Sequence, residues 1–261
     1  MAAPMRSTDF RSIVEPILNE SFDGIYDQRA DEWSTVFREQ NGIPRNYHEE
    51  PVLYGFGAAP EMPDGTPVTY QQGGVLFLKR YVYKVYGLAF ALTKVLVEDG
   101  DHIRIGQVYA KHLAQSLVET KETLAANVLN RAFTAGYNGG DGVPLNSASH
   151  PIVSGTFSNL LTTAANLSQT SLEQMLIQIR QAVDNNGNLL SEGASVISRL
   201  TSPTAWWVQT DAPEGMKLMM RRALEKTMEG DFETDSMRYK ATERYDIGWT
   251  DPRAMYGTPG V

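Results

Sequence analysis

Four histidines, no cysteine and a scatter of carboxylates define the chemistry open to this 261-residue chain. His48 stands before Glu49 and Glu50, residue types that hold metal ions. Successive residues point apart in a strand or a helix, however, and no second ligand set is spaced to join them. Asp141, Ser147, Ser149 and His150 contain the types of an acyl-transfer triad. Triad members normally come from distant chain positions, and the chain has no G-x-S-x-G elbow, so this stretch reads as a polar loop entering a strand. Gly136 to Gly142 follows a helical pattern rather than a strand and lacks the lysine that grips phosphate; a turn is expected. Asp184, Asn186 and Asn188 match the opening of a calcium loop, but Leu189 stands where glycine is needed and Ser195 where glutamate is needed. In Glu98-Asp99-Gly100-Asp101-His102 the two aspartates suit a helix N-terminus better than a metal. Lys79, Arg80 and Lys84 alternate with Tyr81, Tyr83 and Tyr86, a pattern able to stack single-stranded nucleic acid. On an acidic chain they read instead as strand residues whose charged ends reach solvent or pair across an interface. No catalytic, cofactor-binding or metal-ligating set survives. The chain is expected not to be an enzyme and to need no cofactor.

The net charge of -8 argues against phosphate-backbone binding as the main task, because that needs clustered Lys and Arg. At 42% hydrophobic residues the chain carries enough apolar surface for a true core. No apolar run approaches the roughly 20 residues that span a bilayer, and Met1 to Phe10 lacks the pattern of a secretory signal. A protein folded in a cytosol, without disulfides and away from membranes, is expected.

The elements that would position these residues fall into distinct stretches. Residues 1–50 mix short apolar groups (Ile13, Ile17, Leu18; then Trp33, Val36, Phe37) with acidic residues. They predict an extended arm with one or two short helices that packs on something else. Next come strands flanking a proline-studded tip, Pro60 to Pro67, which includes an Asp64-Gly65 turn signal. Val75 to Tyr86 is dense in β-branched and aromatic residues. A long hairpin is predicted, and such a hairpin needs other surface to lie on. Residues 99–135 predict one long helix with Ile105, Tyr109, Leu113, Leu117, Leu124, Val128 and Ala132 on its inner stripe. Lys111, Glu119, Lys121, Glu122 and Arg131 are left for the other faces, and Gly136 for the C-terminal cap. A second helix from about Ser171 would turn Leu172, Met175, Leu176, Ile179 and Val183 inward. Strands are expected near Ala205 to Gln209 and Met237 to Trp249.

Two passages resemble a known family. Asn130-Arg131-Ala132-Phe133, continuing through Asp141-Gly142-Val143-Pro144-Leu145 to Ser149-His150-Pro151, is similar to the passage from long helix to strand in tailed-phage major capsid proteins. The type is that of Hong Kong 97, and in particular the Mu-like major head subunit group. Tyr239 to Arg253, followed by Tyr256-Gly257, resembles the C-terminal strand and tail of these proteins. Ala205-Trp206-Trp207 with Asp211 to Lys217 resembles the segment just upstream.

The resemblance implies an α+β fold in five parts. They are an N-terminal arm (1–50), an extended hairpin loop with flanking strands (51–98) and a peripheral domain with a spine helix (99–165). An axial domain (166–210) follows, then a return to peripheral strands and a tail (211–261). It also implies several dozen more residues near 188–195 than stand here, so the axial domain reads as incomplete. The implied function is structural: self-assembly into hexamers and pentamers of an icosahedral shell around double-stranded DNA. Portal, scaffold and decoration proteins would be further partners, with assembly in the host cytoplasm, the virion capsid as destination, no sequence-specific DNA contact and no membrane. Pro60, Met62, Pro63, Asp64, Lys79, Arg80, Lys84, Trp33 and Phe37 are the candidate inter-subunit contacts. An encapsulin-like nanocompartment shell is the alternative, and a soluble hydrolase using Ser147 or His150 a weaker one.

Overall fold

A computed structural model describes residues 7–27, 31–41, 44–56, 60–93, 95–96, 102–153, 155–181, 199–210, 212, 214–231 and 236–261. In chain order, helix α1 (Ser7–Tyr26) leads through a one-turn 3-10 segment, Trp33–Thr35, to strand β1 (Arg38–Asn41). Then come β2 (Tyr47–Tyr54), β3 (Gly74–Val82), β4 (Lys84–Thr93) and the long helix α2 (His102–Asn130). The small pair β5 (His150–Ile152) and β6 (Gly155–Phe157) precedes α3 (Gln169–Gln181). The chain closes with β7 (Trp206–Gln209), β8 (Met216–Asp231), β9 (Ser236–Trp249) and β10 (Met255–Thr258). The main sheet has the order β1-β8-β9-β4, with β1 parallel to β8 and the other pairs antiparallel. Among the described residues, no helix is long and apolar enough to cross a membrane.

The N-terminal segment differs from the expected loose arm. A single 20-residue helix forms because Val14, Leu18 and Phe22 recur every fourth residue and make one stripe. Pro16 lies on the exposed face and does not interrupt that stripe. All three apolar residues are buried against Ala110, Leu113, Ala114 and Leu117 of α2 and Tyr239 and Ala241 of β9. Each such burial is worth about 1.5 to 3 kcal/mol, so the arm is part of the subunit's own core.

On α2, Leu113 and Leu117 are buried as expected, as is Ala132 just beyond its end, while Tyr109 is exposed and Lys121 and Glu122 are buried instead. The reason is that α2 is covered on two sides, by α1 and by the sheet. Small residues therefore line its inner surface: Gly106, Ala110, Ala114, Ala125 and Ala126. A Cβ at Gly106 would lie 3.0 Å from Leu18 Cδ2, so the helices meet at a distance that glycine permits. The helix ends at Asn130, earlier than expected. There the Asn130 side chain donates to Arg199 O and accepts from Thr201 N. Gly136 takes a positive φ of 97° in the turn beyond. Asp99 and Asp101 lie outside the described residues, as does the run 184–195.

Strand β8 was not legible as a strand, since Met, Leu, Arg, Glu and Lys all favour helix. Its pairing with β9 along thirteen registered positions overrides that preference. In α3, Met175 and Ile179 pack on Leu161, Trp206 and Tyr256, while Leu172 is exposed and Val183 is outside the described residues.

Candidate assembly surface

Strands β2 and β3 pair antiparallel from Tyr47↔Val82 to Tyr54↔Gly74, with a register slip between Val52 and Leu53. The single strand expected from Val75 to Tyr86 is two. The ladder breaks at Tyr83, so β3 belongs to the hairpin and β4 to the main sheet. At the tip, Thr66 donates from both N and Oγ1 to Pro63 O, at 3.2 and 2.6 Å. Gly65 at φ 79° supplies the left-handed step of this turn. Leu53, Phe56, Met62, Val68, Val75 and Leu78 are exposed, and Tyr70 is 93% exposed. So much apolar surface on a two-stranded ribbon marks an interaction surface rather than a free loop.

The root of the ribbon is the opposite in character. Lys217 is 2% exposed and donates to Glu50 Oε2 at 2.7 Å and also to Glu214. Thr250 donates to the same Glu50 oxygen at 2.5 Å, and Tyr81 OH then donates to Thr250 Oγ1 at 2.7 Å. Burial alone would raise the Glu50 carboxyl, but hydrogen bonds from Lys217 and Thr250 outweigh it and hold the group below its ordinary value. Val82 N donates to Asp246 Oδ2 at 2.9 Å; burial pushes that carboxyl upward. Lys79 lies over the rings of Trp249 and Tyr81, at 4.8 and 5.7 Å, and burial lowers its pKa against the pull of Asp246 and Asp141. The glycine-rich loop after α2 completes the grip. A Cβ on Gly140 would sit 2.6 Å from Leu78 O, so only glycine lets this loop pass under β3.

The residues singled out for chemistry fall into place around this root. His48 Nε2 and Glu50 Oε1 are 3.3 Å apart, because residues two apart share a strand face. The other Glu50 oxygen is filled by Lys217 and Thr250, which makes the pair part of a latch. Among the described residues no group of three His, Asp or Glu could hold a metal ion.

His150 and Asp141 do meet, at 2.5 Å from Nδ1 to Oδ2, and both side chains are inaccessible to solvent. The second ring nitrogen faces Asn159 Oδ1 at 3.0 Å, not a serine. Ser147 and Ser149 hydroxyls contact each other on the surface. Asn159 donates from Nδ2 to the carbonyls of Leu145, Pro252 and Met255, leaving its oxygen to accept from His150 Nε2 and Ser147 N. His150 thus bridges Asp141 on one side and Asn159 on the other. The network pins the 141–159 region to the C-terminal turn. Asn159 had no signal in the sequence, where it is one polar residue among many.

Trp33 and Phe37 require a correction as contact candidates. Both are buried with Val36, Leu129, Met216, Leu218, Tyr245 and Trp249 in the subunit's own core. Glu122 of α2 causes this by accepting from Glu32 N at 2.8 Å and Trp33 N at 3.1 Å, which draws the arm inward. Burial raises the Glu122 carboxyl even so. Beside it, Lys121, Glu243 and Tyr26 form a second buried cluster joining α1, α2 and β9, with Lys121 Nζ 2.9 Å from Glu243 Oε2 and 2.7 Å from Tyr26 OH. Pro60, Met62, Pro63 and Asp64 are exposed at the tip, and Lys84 is exposed at the start of β4. Arg80 is exposed, pairs with Glu49 at 2.6 Å and lies over Tyr47.

A helix pair laid on one face of a long-stranded sheet, a projecting hairpin and a small ribbon against α3 together define the α+β Hong Kong 97-like capsid fold. The bacteriophage JBD30 capsid subunit matches with a TM-score of 0.57 at 12% identity, covering 88% of this chain and 65% of that one. The cyanophage P-SCSP1u capsid matches at 0.52 and 10%, covering 87% and 86%. The virus-like particle from Pyrococcus furiosus matches at 0.51 and 9%, covering 93% and 98%. No curated protein sequence matches the chain. Residues 79–258 match the model of the phage capsid protein family, and the chain belongs to that family. The match does not single out the Mu-like group. At 65%, the chain spans just under two thirds of the length of the JBD30 subunit.

Proposed function

We propose that this chain is the major head subunit of a tailed phage, assembling with copies of itself into hexamers and pentamers around double-stranded DNA. The observation that carries the reading is the hairpin, apolar and exposed at its tip yet latched at its root by buried Glu50 and Lys217. Such an element is built to cover a neighbouring copy. In this reading 51–98 is the overlapping loop and 99–165 with 211–261 the peripheral domain. Residues 166–210 contribute the axial part, and 1–50 is an arm whose helix belongs to the subunit core. Pro60, Met62, Pro63, Asp64 and Lys84 remain contact candidates, with Arg80 beside them. Portal, scaffold and decoration proteins are the further partners, and assembly takes place in the host cytoplasm. Membership of the phage capsid family favours a genome shell over an encapsulin-like compartment. Catalysis has no role, since His150 is bound on both sides by structural partners.

Expression of the full chain followed by electron microscopy tests the reading. Closed shells are expected from the wild type. Deletion of residues 58–72 should leave a folded, soluble subunit that assembles poorly. A wild-type chain that stays monomeric at high concentration overturns the proposal.

A further inference from the structure

Among the described residues, the main sheet has helices on one face only. Residues opposite each other in an antiparallel pair share a face, so Tyr239, Ala241 and Tyr245 of β9 look toward α1 and α2. Arg238, Lys240, Thr242 and Arg244 look the other way. On that outer face Arg244 stands directly opposite Arg222 of β8 and Val85 of β4. The β8 register slips between Met220 and Arg222, which places Arg221 at the bulge beside them. Like charges directly across a ladder are destabilising, and here two arginines face each other with a third adjacent. Among the described residues, the one carboxylate paired to them is Glu225, 2.9 Å from Arg222 Nη1. The Nε atoms of Arg221, Arg222 and Arg244 are buried without an acceptor. Along β4 the same face shows Val85, Gly87, Ala89 and Ala91, all exposed, on the edge of the sheet. Among the described residues, the hairpin root covers this face from Gly248, under Tyr81 and Lys79, past Asp246, which accepts from Val82 N, to Arg244, where Asn46 touches the edge of the seat.

A shallow apolar track flanked by under-compensated arginines calls for an apolar segment carrying carboxylates. The hairpin tip has that composition. Glu61 and Asp64 are the charged residues of 55–73, both exposed and without partners among the described residues, beside Met62, Val68 and Tyr70. It cannot be the chain's own tip. Arg244 touches Asn46, next to the start of β2, while the tip lies a whole ribbon away, roughly 25 Å at 3.3 Å per residue.

We infer that Arg221, Arg222 and Arg244 form the seat for Glu61 and Asp64 of the hairpin of a second copy. The inference rests on the proposed shell-building role. Three preparations test it: Arg221→Glu with Arg244→Glu, Glu61→Lys with Asp64→Lys, and the 58–72 deletion. Each is checked for folding by circular dichroism and for shells by electron microscopy and sedimentation. Each charge reversal alone should lower shell yield about tenfold or more, since juxtaposed like charges cost several kcal/mol. Mixing the two reversed proteins should restore mixed shells. Should the arginine pair fail to fold when reversed, Arg221→Gln with Arg244→Gln replaces it, with the same loss expected. Normal shells from both reversals, alongside failure of the deletion, overturn the seat but leave the hairpin's role intact. Normal shells from the deletion remove both. Loss of both reversals without rescue on mixing overturns the pairing. So do intact arginine-reversed shells that have lost only their nucleic acid, because the arginines would then face DNA.

Discussion

At the scale of single residues, the molecule is held by buried polar contacts whose loss is costly because nothing replaces them. His150→Ala would strand the Asp141 carboxylate in a site closed to water, and removing one partner of such a pair costs about 3 to 5 kcal/mol. Urea unfolding should show that loss; a change below about 1 kcal/mol would mean that water reaches Asp141. Glu50 makes a pH-dependent contribution. Its carboxyl is held below its ordinary value in the fold, so the stability it adds is fully present above that ordinary value and disappears as pH falls through the lowered one. Asp246, raised by burial, acts with the opposite sign. The gap in urea midpoint between wild type and Glu50→Gln should therefore be widest near neutrality and shrink in acid. A gap that stays constant down to about pH 3 would contradict the latch. Residues such as Asp141 and His150 were visible in the sequence as chemical types. Their partner Asn159 was not, and neither were Lys217 and Thr250, which bond Glu50 from 167 and 200 residues away, a separation that leaves no local pattern.

At the scale of elements, the seam between α1 and α2 is the feature most open to test. Leu18 is wholly buried where Gly106 brings the two helices close, so Leu18→Ala should cost about 3 to 5 kcal/mol. Thermal unfolding of the variant checks this, and a cost near zero would mean that α1 is not docked. Elements with unbroken periodicity were readable from sequence: the long helix, the hairpin with its Asp64-Gly65 tip and strand β9. Two were hidden for opposite reasons. Helix α1 has a regular stripe masked by Pro16 and a run of acidic residues, whereas β8 is composed of helix formers and becomes a strand only because β9 pairs with it. The inward turn of Trp33 and Phe37 depends on Glu122, on another helix altogether.

For the whole molecule, the core accounts for helices α1 and α2 and the main sheet, and among the described residues leaves uncovered the hairpin and much of the outer sheet face. A shell repeats each such contact many times, so modest individual affinities suffice for a strong container. The division between a rigid body and one exposed ribbon has a mechanical side. Among the described residues the ribbon is held near its root, by the Glu50–Lys217–Thr250 group and the loop at Gly140, and β2 runs about 13 Å from Glu50 to Tyr54, where the tip loop begins. It is thus a lever: a turn of about 10° at the clamp moves the end of the paired ribbon by roughly 2 Å, and the tip loop beyond it by more. In the proposed shell, neighbours around a fivefold vertex and a sixfold face differ in tilt. A lever of this length lets one unchanged subunit body satisfy both by adjusting a few hydrogen bonds at its fulcrum.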